Sequence, residues 1–236
     1  MSKKVEPVKT TEEKFEDVGE KLATSEQFFE NNQKPILYTI AAIVVVIGII
    51  LAYHYLYKIP RNEKAQVAIF KGEGYFLNGE DSVALFGNNN DYAGFESVIK
   101  EYKGTKTADL AHAYAGISYS RIGNNEKALE HLKKFKGGDL LVTPAISGAI
   151  GDIYMNLGQT EEAIKQFNKA AKDADNEMLS PIYFKKAGLA YLSAKNYDKT
   201  IETFEVIKDK YLSSPEGQEA DKYIEQAKLL GGKTNK

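Results

Sequence analysis

Polar and apolar residues alternate along this chain in three different ways. Between Ile36 and Tyr57 the pattern is simply apolar: 22 residues (ILYTIAAIVVVIGIILAYHYLY) carry no formal charge. As a helix, at roughly 1.5 Å per residue, they span about 33 Å, the thickness of a bilayer's hydrocarbon. Tyr38 at one end and Tyr53, Tyr55 and Tyr57 at the other stand at headgroup depth, with Lys34, Lys58 and Arg61 beyond them. The run predicts a transmembrane helix. It is too long and too far from the start to be a signal peptide's apolar core, so it is expected to stay as an anchor. Before it, residues 1–35 are polar. Thr10 or Thr11 ahead of Glu13 reads as a helix start, and Phe15, Val18, Leu22 and Phe29 follow at seam-like spacing broken at Ser25. That tail is either one amphipathic helix, docking a partner helix or lying on the membrane, or a solvated segment.

After the span the pattern repeats. Gly116, Tyr119, Ala128, Leu132 and Phe135 are spaced 3, 9, 4 and 3 apart. Gly151, Tyr154, Ala163, Phe167 and Ala170 follow with the same offsets 35 residues later, and Gly188, Tyr191, Thr200, Phe204 and Ile207 after another 37. Such a register predicts helical hairpins. A glycine lets helix A cross helix B closely, a second small residue sits on B, and large apolar residues close the layer. Gly123-Asn124 and Gly158-Gln159 end the A helices, with Asn196 expected in that slot of the third copy. Pro144, Pro181 and Pro215 fall at the first turns of the next helices. Upstream the phase slips: an irregular first hairpin is expected, with A at about 61–79, an inserted turn, and a short B at 91–103, its end marked by Phe95, Val98 and Tyr102 in GFESVIKEYKGT. Its Gly87-Asn88-Asn89-Asn90 loop is either a recognition element or a plain connection.

The expected organisation is all-α: a polar tail over 1–35, a transmembrane helix over 36–57, the irregular hairpin over 58–108, three repeats over 109–211, and a cap helix and tail over 212–236. Charge adds little to this. The chain has 31 Lys+Arg against 33 Asp+Glu, net −2. The tail holds six Lys and eight acidic residues, leaving 25 of each sign from 58 onward. Such balance argues against nucleic-acid binding by counterion release. The absence of Cys removes disulfides, thiolate metal sites and thiol nucleophiles.

Candidate chemistry is sparse. His54 ends the span without an intramembrane carboxylate to relay protons. His112 and His131, on the two helices of one repeat, can approach each other, yet two His alone make a poor metal site. Gly232-Lys233-Thr234 ends like a phosphate loop, but Ala227 stands where the first Gly is needed. Glu161 and Glu162 suit a helix's first turn. No nucleophile-base set or dinucleotide fingerprint occurs. The expectation is a non-enzyme without cofactor or metal.

The offsets and residue types over 109–211 resemble the tetratricopeptide repeat (TPR), a 34-residue helix-turn-helix unit, although His112, Ser147 and Phe184 stand where that family carries Trp. The resemblance implies a TPR solenoid whose A helices line a concave groove. Here that groove would present Leu110, Ala113, Ile117, Ser120 and Arg121, then Ala145, Gly148, Asp152, Met155 and Asn156, then Ile182, Lys185, Leu189, Leu192 and Ser193. The family's carboxylate-clamp set is missing apart from Lys185, so an apolar partner segment is implied. Tail, span and small TPR domain together are similar to the YfgM-like ancillary subunits of the bacterial Sec translocon, with YKGTKTADLAHAYAGI and GAIGDIYMNLGQTEEAI resembling Bacteroidetes versions. That resemblance implies an inner-membrane adaptor or chaperone-like subunit with its repeats in the periplasm and its tail in the cytoplasm. Its partners would be Sec translocon components, secreted or membrane polypeptides and periplasmic chaperones. A scaffold of another envelope assembly, for outer-membrane protein insertion or division, is the other reading. Lys21 and Lys34 before the span against Lys58, Arg61, Lys64 and Lys71 after it pull toward a cytoplasmic repeat domain, but long domains cross largely regardless of flanking charge.

Overall fold

The computed structural model describes residues 31–88 and 90–232, and the tail elements expected before Asn31 lie outside them. The chain divides into two compact units, at Ile59/Pro60. Every described element is helical; the nearest approach to a strand is a single antiparallel bridge between Asn88 and Tyr92.

The first unit is dominated by α1, Gln33–Ala52, in which no residue is buried. It is long and apolar enough to cross a membrane. Among the described residues nothing buries it, and an apolar surface on all sides is what a segment solvated by lipid would need. Thr39 turns its hydroxyl back to the Pro35 carbonyl at 2.8 Å, removing its polar atom from that surface. The π-helical segment Tyr53–Lys58 follows, with Tyr53 and Tyr57 stacked at 5.3 Å.

The second unit is a solenoid of helical hairpins. Its elements are α2 (Ile59–Leu77), α3 (Asp81–Phe86), α4 (Phe95–Glu101), α5 (Lys106–Arg121), α6 (Asn125–Lys134), α7 (Val142–Asn156), α8 (Thr160–Ala174), α9 (Ser180–Ser193), α10 (Tyr197–Lys210) and α11 (Pro215–Leu230). The glycine register explains the pairing. A Cβ on Gly116 would stand 2.5 Å from Leu132, one on Gly151 2.5 Å from Phe167, and one on Gly188 2.6 Å from Phe204, so only hydrogen fits where α5, α7 and α9 cross α6, α8 and α10. Ala128, Ala163 and Thr200 are fully buried beside these crossings. Thr200 pairs its hydroxyl with the Asn196 carbonyl at 3.0 Å, which is why a polar residue is tolerated there.

The turns after the A helices are built alike, with one change from expectation. The left-handed slot holds Gly123 (φ 82°) and Gly158 (φ 71°), but in the third hairpin Lys195 (φ 58°) occupies it, one position before Asn196. Asn196 instead caps α10 by accepting from the Lys199 N–H, as Asn124 caps α6 through Lys127.

The irregular first hairpin is a fourth copy of the same unit, interrupted. Gly72, Tyr75 and Ala84 keep the offsets of 3 and 9, and Gly79 (φ 78°) fills the left-handed slot. The Glu80 N–H bonds to the Tyr75 carbonyl at 2.9 Å, as Asn124 does to Tyr119 at 2.8 Å. A Cβ on Gly72 would run into the Tyr92 hydroxyl and stand 2.5 Å from the Phe95 ring. Phe95 therefore fills the place of Leu132, but eleven positions after Ala84 where the other copies have four, an insertion of seven residues that splits helix B into α3 and α4. The insertion is ordered by its own side chains. Asn88 Oδ1 accepts from the N–H groups of Asp91 and Tyr92 at 3.0 and 3.1 Å, its amide donates to the Tyr75 hydroxyl, and Tyr92 donates to the Ala84 carbonyl at 2.9 Å.

Candidate interaction surface

Successive A helices α7, α9 and α11 are tied along one face by ion pairs between residues 34 apart. Asp152 meets Lys186 at 2.6 Å, and Lys185 meets Glu219 at 2.5 Å. At the start of the array Arg121 lies 4.3 Å over the Phe76 ring, donates to the Phe76 carbonyl at 3.1 Å and approaches the buried Asp81 carboxylate at 3.4 Å.

Several residues expected to line this face are therefore engaged within the array. Arg121, Asp152 and Lys185 each contact a neighbouring hairpin. Ala113 and Gly148 are buried, the latter beneath the Tyr183 ring of α9. Ile117 and Met155 are half-buried against apolar core residues. Leu110, Ser120 and Leu192 are also half-buried, while Ala145, Asn156, Ile182, Leu189 and Ser193 are exposed. Ile182 and Leu189 are the large apolar side chains left open among those expected in the groove.

A second apolar feature runs along the loop edge. Three positions before Pro144, Pro181 and Pro215 stand Leu141, Met178 and Leu212, exposed by 61, 73 and 62 %. Exposed apolar side chains at one repeated position form a row, where scattered ones would need no explanation. The spacing to proline was visible in the sequence; that these side chains face solvent was not.

His112 and His131 do meet, Nδ1 to Nδ1 at 3.1 Å. The first hairpin supplies what the pattern did not show: Glu96 on α4 lies 3.3 Å from His131 Nε2 and accepts from the Tyr119 hydroxyl at 2.6 Å. Burial lowers the pKa of both imidazoles, and burial followed by the Glu96 contact raises that of the Tyr119 phenol. The cluster is a chain of shared hydrogen bonds linking three helices. Among the described residues no three His, Asp or Glu side chains are grouped to hold a metal ion.

Comparison with known proteins agrees with this geometry. A tetratricopeptide-repeat family model matches residues 146–172, most of α7 and of α8. The nearly identical TPR-like repeats of a Podosopora anserina protein named as a kinesin light chain superpose with a TM-score of 0.55 at 14 % identity, covering 72 % of this chain and 88 % of theirs; a single-substitution form of the same repeats gives the same values. MamA structures align over 59 and 73 % of this chain, and 90 and 93 % of their own, at 25 and 21 % identity, with TM-scores of 0.39 and 0.43. No curated protein sequence matches significantly. The fold is a TPR-like helical solenoid preceded by a long apolar helix.

Proposed function

We propose that this chain is a membrane-anchored adaptor of the YfgM-like kind, an accessory subunit of the bacterial Sec translocon whose repeats stand in the periplasm. In this reading the repeats take up apolar segments of emerging polypeptides, or of chaperones that receive them. The observation that carries it is the combination of a bare apolar helix, Gln33–Ala52, with a solenoid that leaves Ile182 and Leu189 open on one face and Leu141, Met178 and Leu212 open along one edge. Unfolded chains leaving a membrane pore expose apolar segments, and a row of apolar side chains at repeat spacing matches such segments without reading their sequence.

Two experiments test this. Mild-detergent purification after cross-linking in the membrane should recover translocon subunits with this chain, and replacing α1 with a foreign span should abolish that recovery; full recovery with the foreign span would favour a tethered scaffold of another envelope assembly. For topology, the Cys-free sequence permits single-thiol labelling. Ser213 is exposed, whereas Ser214 is buried and caps α11, so Ser213→Cys is the useful site. In spheroplasts an impermeant maleimide should label Ser213→Cys and spare Ser25→Cys; the reverse pattern places the repeats in the cytoplasm and rejects the translocon-exit reading.

A further inference from the structure

The solenoid carries a second concavity, away from the A-helix ion pairs, between α8 and α10 with α9 as its floor. Its volume is about 630 Å³, within the range of about 300–1,000 Å³ usual for ligand sites. Lys165, Lys169 and Lys172 stand along α8 and Lys199 faces them from α10, while Phe184 and Tyr191 of α9 lie between. Asp173 and Glu202 are the carboxylates in this lining, so the walls carry a formal excess of two positive charges in a chain whose total is −2.

The existing partners of these lysines are weak ones. Lys165 pairs with Glu162 at 2.7 Å, Lys199 with Glu202 at 2.5 Å and Lys169 with Asp173, each within one helix and about half exposed. Pairs of this type contribute little and are screened by salt, so the ammonium groups can turn to another anion at small cost. Lys172 has no carboxylate within ion-pair distance among the described residues. Lysines on both walls above an aromatic floor are complementary to a chain that alternates acid with aromatic or apolar side chains.

We propose that this cleft binds an acidic peptide segment of a protein partner, its carboxylates on Lys165, Lys172 and Lys199 and an aromatic side chain over Phe184 and Tyr191. Shape separates this ligand from two others. A lipid surface is flat and would meet the wall lysines without reaching the floor. A nucleic acid presents phosphates continuously, and a formal excess of two positive charges in a chain of net −2 is too small to hold it by counterion release. The inference is independent of the A-face reading, since it uses none of its residues.

The test uses the full chain in detergent and a fluorescein-labelled peptide of alternating Glu and Phe, read by anisotropy. Saturable binding is expected, weakening as salt rises from 50 to 300 mM, with at least a tenfold loss in Lys165→Glu/Lys172→Glu and no change in Leu189→Asp. Both lysines are exposed, so the double variant should keep its helical circular dichroism; Lys172→Gln, which leaves no new charge, should show a smaller loss in the same direction. A peptide with Lys in place of Glu should not bind, and one with Ser in place of Phe should bind more weakly. The proposal is overturned by equal binding of the Lys peptide, by an unaffected double variant, or by binding only to anionic phosphatidylglycerol vesicles through the same lysines. Loss in Leu189→Asp with an unaffected double variant would instead locate the peptide on the A face.

Discussion

Replacing Gly151 with alanine puts one methyl group where α7 crosses α8, and the packing around that point sets its cost. The new Cβ would lie 2.5 and 2.6 Å from Cε1 and Cδ1 of Phe167, against about 3.5–4.0 Å for carbons in contact, so the ring must retreat by about 1 Å. Phe167 is 2 % exposed and surrounded by close-packed neighbours, which leaves no vacant volume to retreat into. Overpacking of this kind costs about 1–3 kcal/mol, and two sub-contact distances place it at the upper end. Alanine's better helix propensity returns about 1 kcal/mol. The net loss is about 2 kcal/mol, or about 4–8 °C in melting temperature for a domain of about 150–250 residues. Gly74 in the last turn of α2 is the internal control: it is helical and exposed, and a Cβ there meets nothing within 4 Å. Gly74→Ala should raise the melting temperature, by up to about 2–4 °C. Circular-dichroism melts of the full chain in detergent read both. Phe167→Leu in the Gly151→Ala background should cost less than in the wild type, giving a coupling of at least about 0.5 kcal/mol. If Gly151→Ala stabilises as Gly74→Ala does, or the two substitutions at 151 and 167 are additive, the helix crossing is not where the register places it.

Three further outcomes rest on single contacts. Lys195→Gly should stabilise the third hairpin by about 1 kcal/mol, because a residue with a Cβ is held at φ 58° there and glycine is not penalised; a lower melting temperature refutes this. Tyr92→Phe removes the buried hydroxyl bond to the Ala84 carbonyl and should cost about 1–2 kcal/mol, seen as faster amide exchange in α3 and α4, with unchanged exchange as the contrary result. The His112–His131 pair should make stability fall with acid. Both folded-state pKa values are lowered, so the unfolded chain binds more protons once pH drops below about 6.5, and the stabilisation present above that pH is lost toward the lowered values. Glu96, Glu130 and Asp109 oppose this shift and Lys127 and Lys134 reinforce it. His112→Gln/His131→Gln should flatten the melting-temperature difference between pH 7.5 and 5.5, and an unchanged slope would assign the acid sensitivity elsewhere.

The hairpins were readable because one physical requirement, a residue without a side chain at each helix crossing, recurs at nearly constant spacing. The same requirement was present at Gly72, and its offsets to Tyr75 and Ala84 were intact. What hid the fourth copy was the break after Ala84. Sequence spacing records a contact only while the intervening chain stays helical, and seven inserted residues separate Ala84 from the Phe95 that completes its layer. Nothing local to GNNNDYAG shows that Tyr92 turns inward to the Ala84 carbonyl and closes the gap. Lys195 shows the opposite limit: Asn196 is the better left-handed residue, but its side chain is already the cap of α10, and the position before it takes the strain.

The surface divides along similar lines. Asp152 with Lys186, and Lys185 with Glu219, are opposite charges 34 residues apart, about one helical turn short of the 37-residue offset from Gly151 to Gly188, so that they meet across successive A helices. Those charges are already paired with the next A helix, so they meet a partner only by giving up these partly exposed ion pairs. Lys165, Lys169 and Lys172 form a stripe on α8 that could be drawn on a helical wheel, but their facing partner Lys199 and the Phe184–Tyr191 floor come from two other helices and emerge only with packing. Their ion pairs stay within their own helices and tie no hairpin to the next. Breaking them unties no hairpin from the next, and in the reading proposed above charge meets a partner on the α8–α10 side while the A-helix side offers apolar contact.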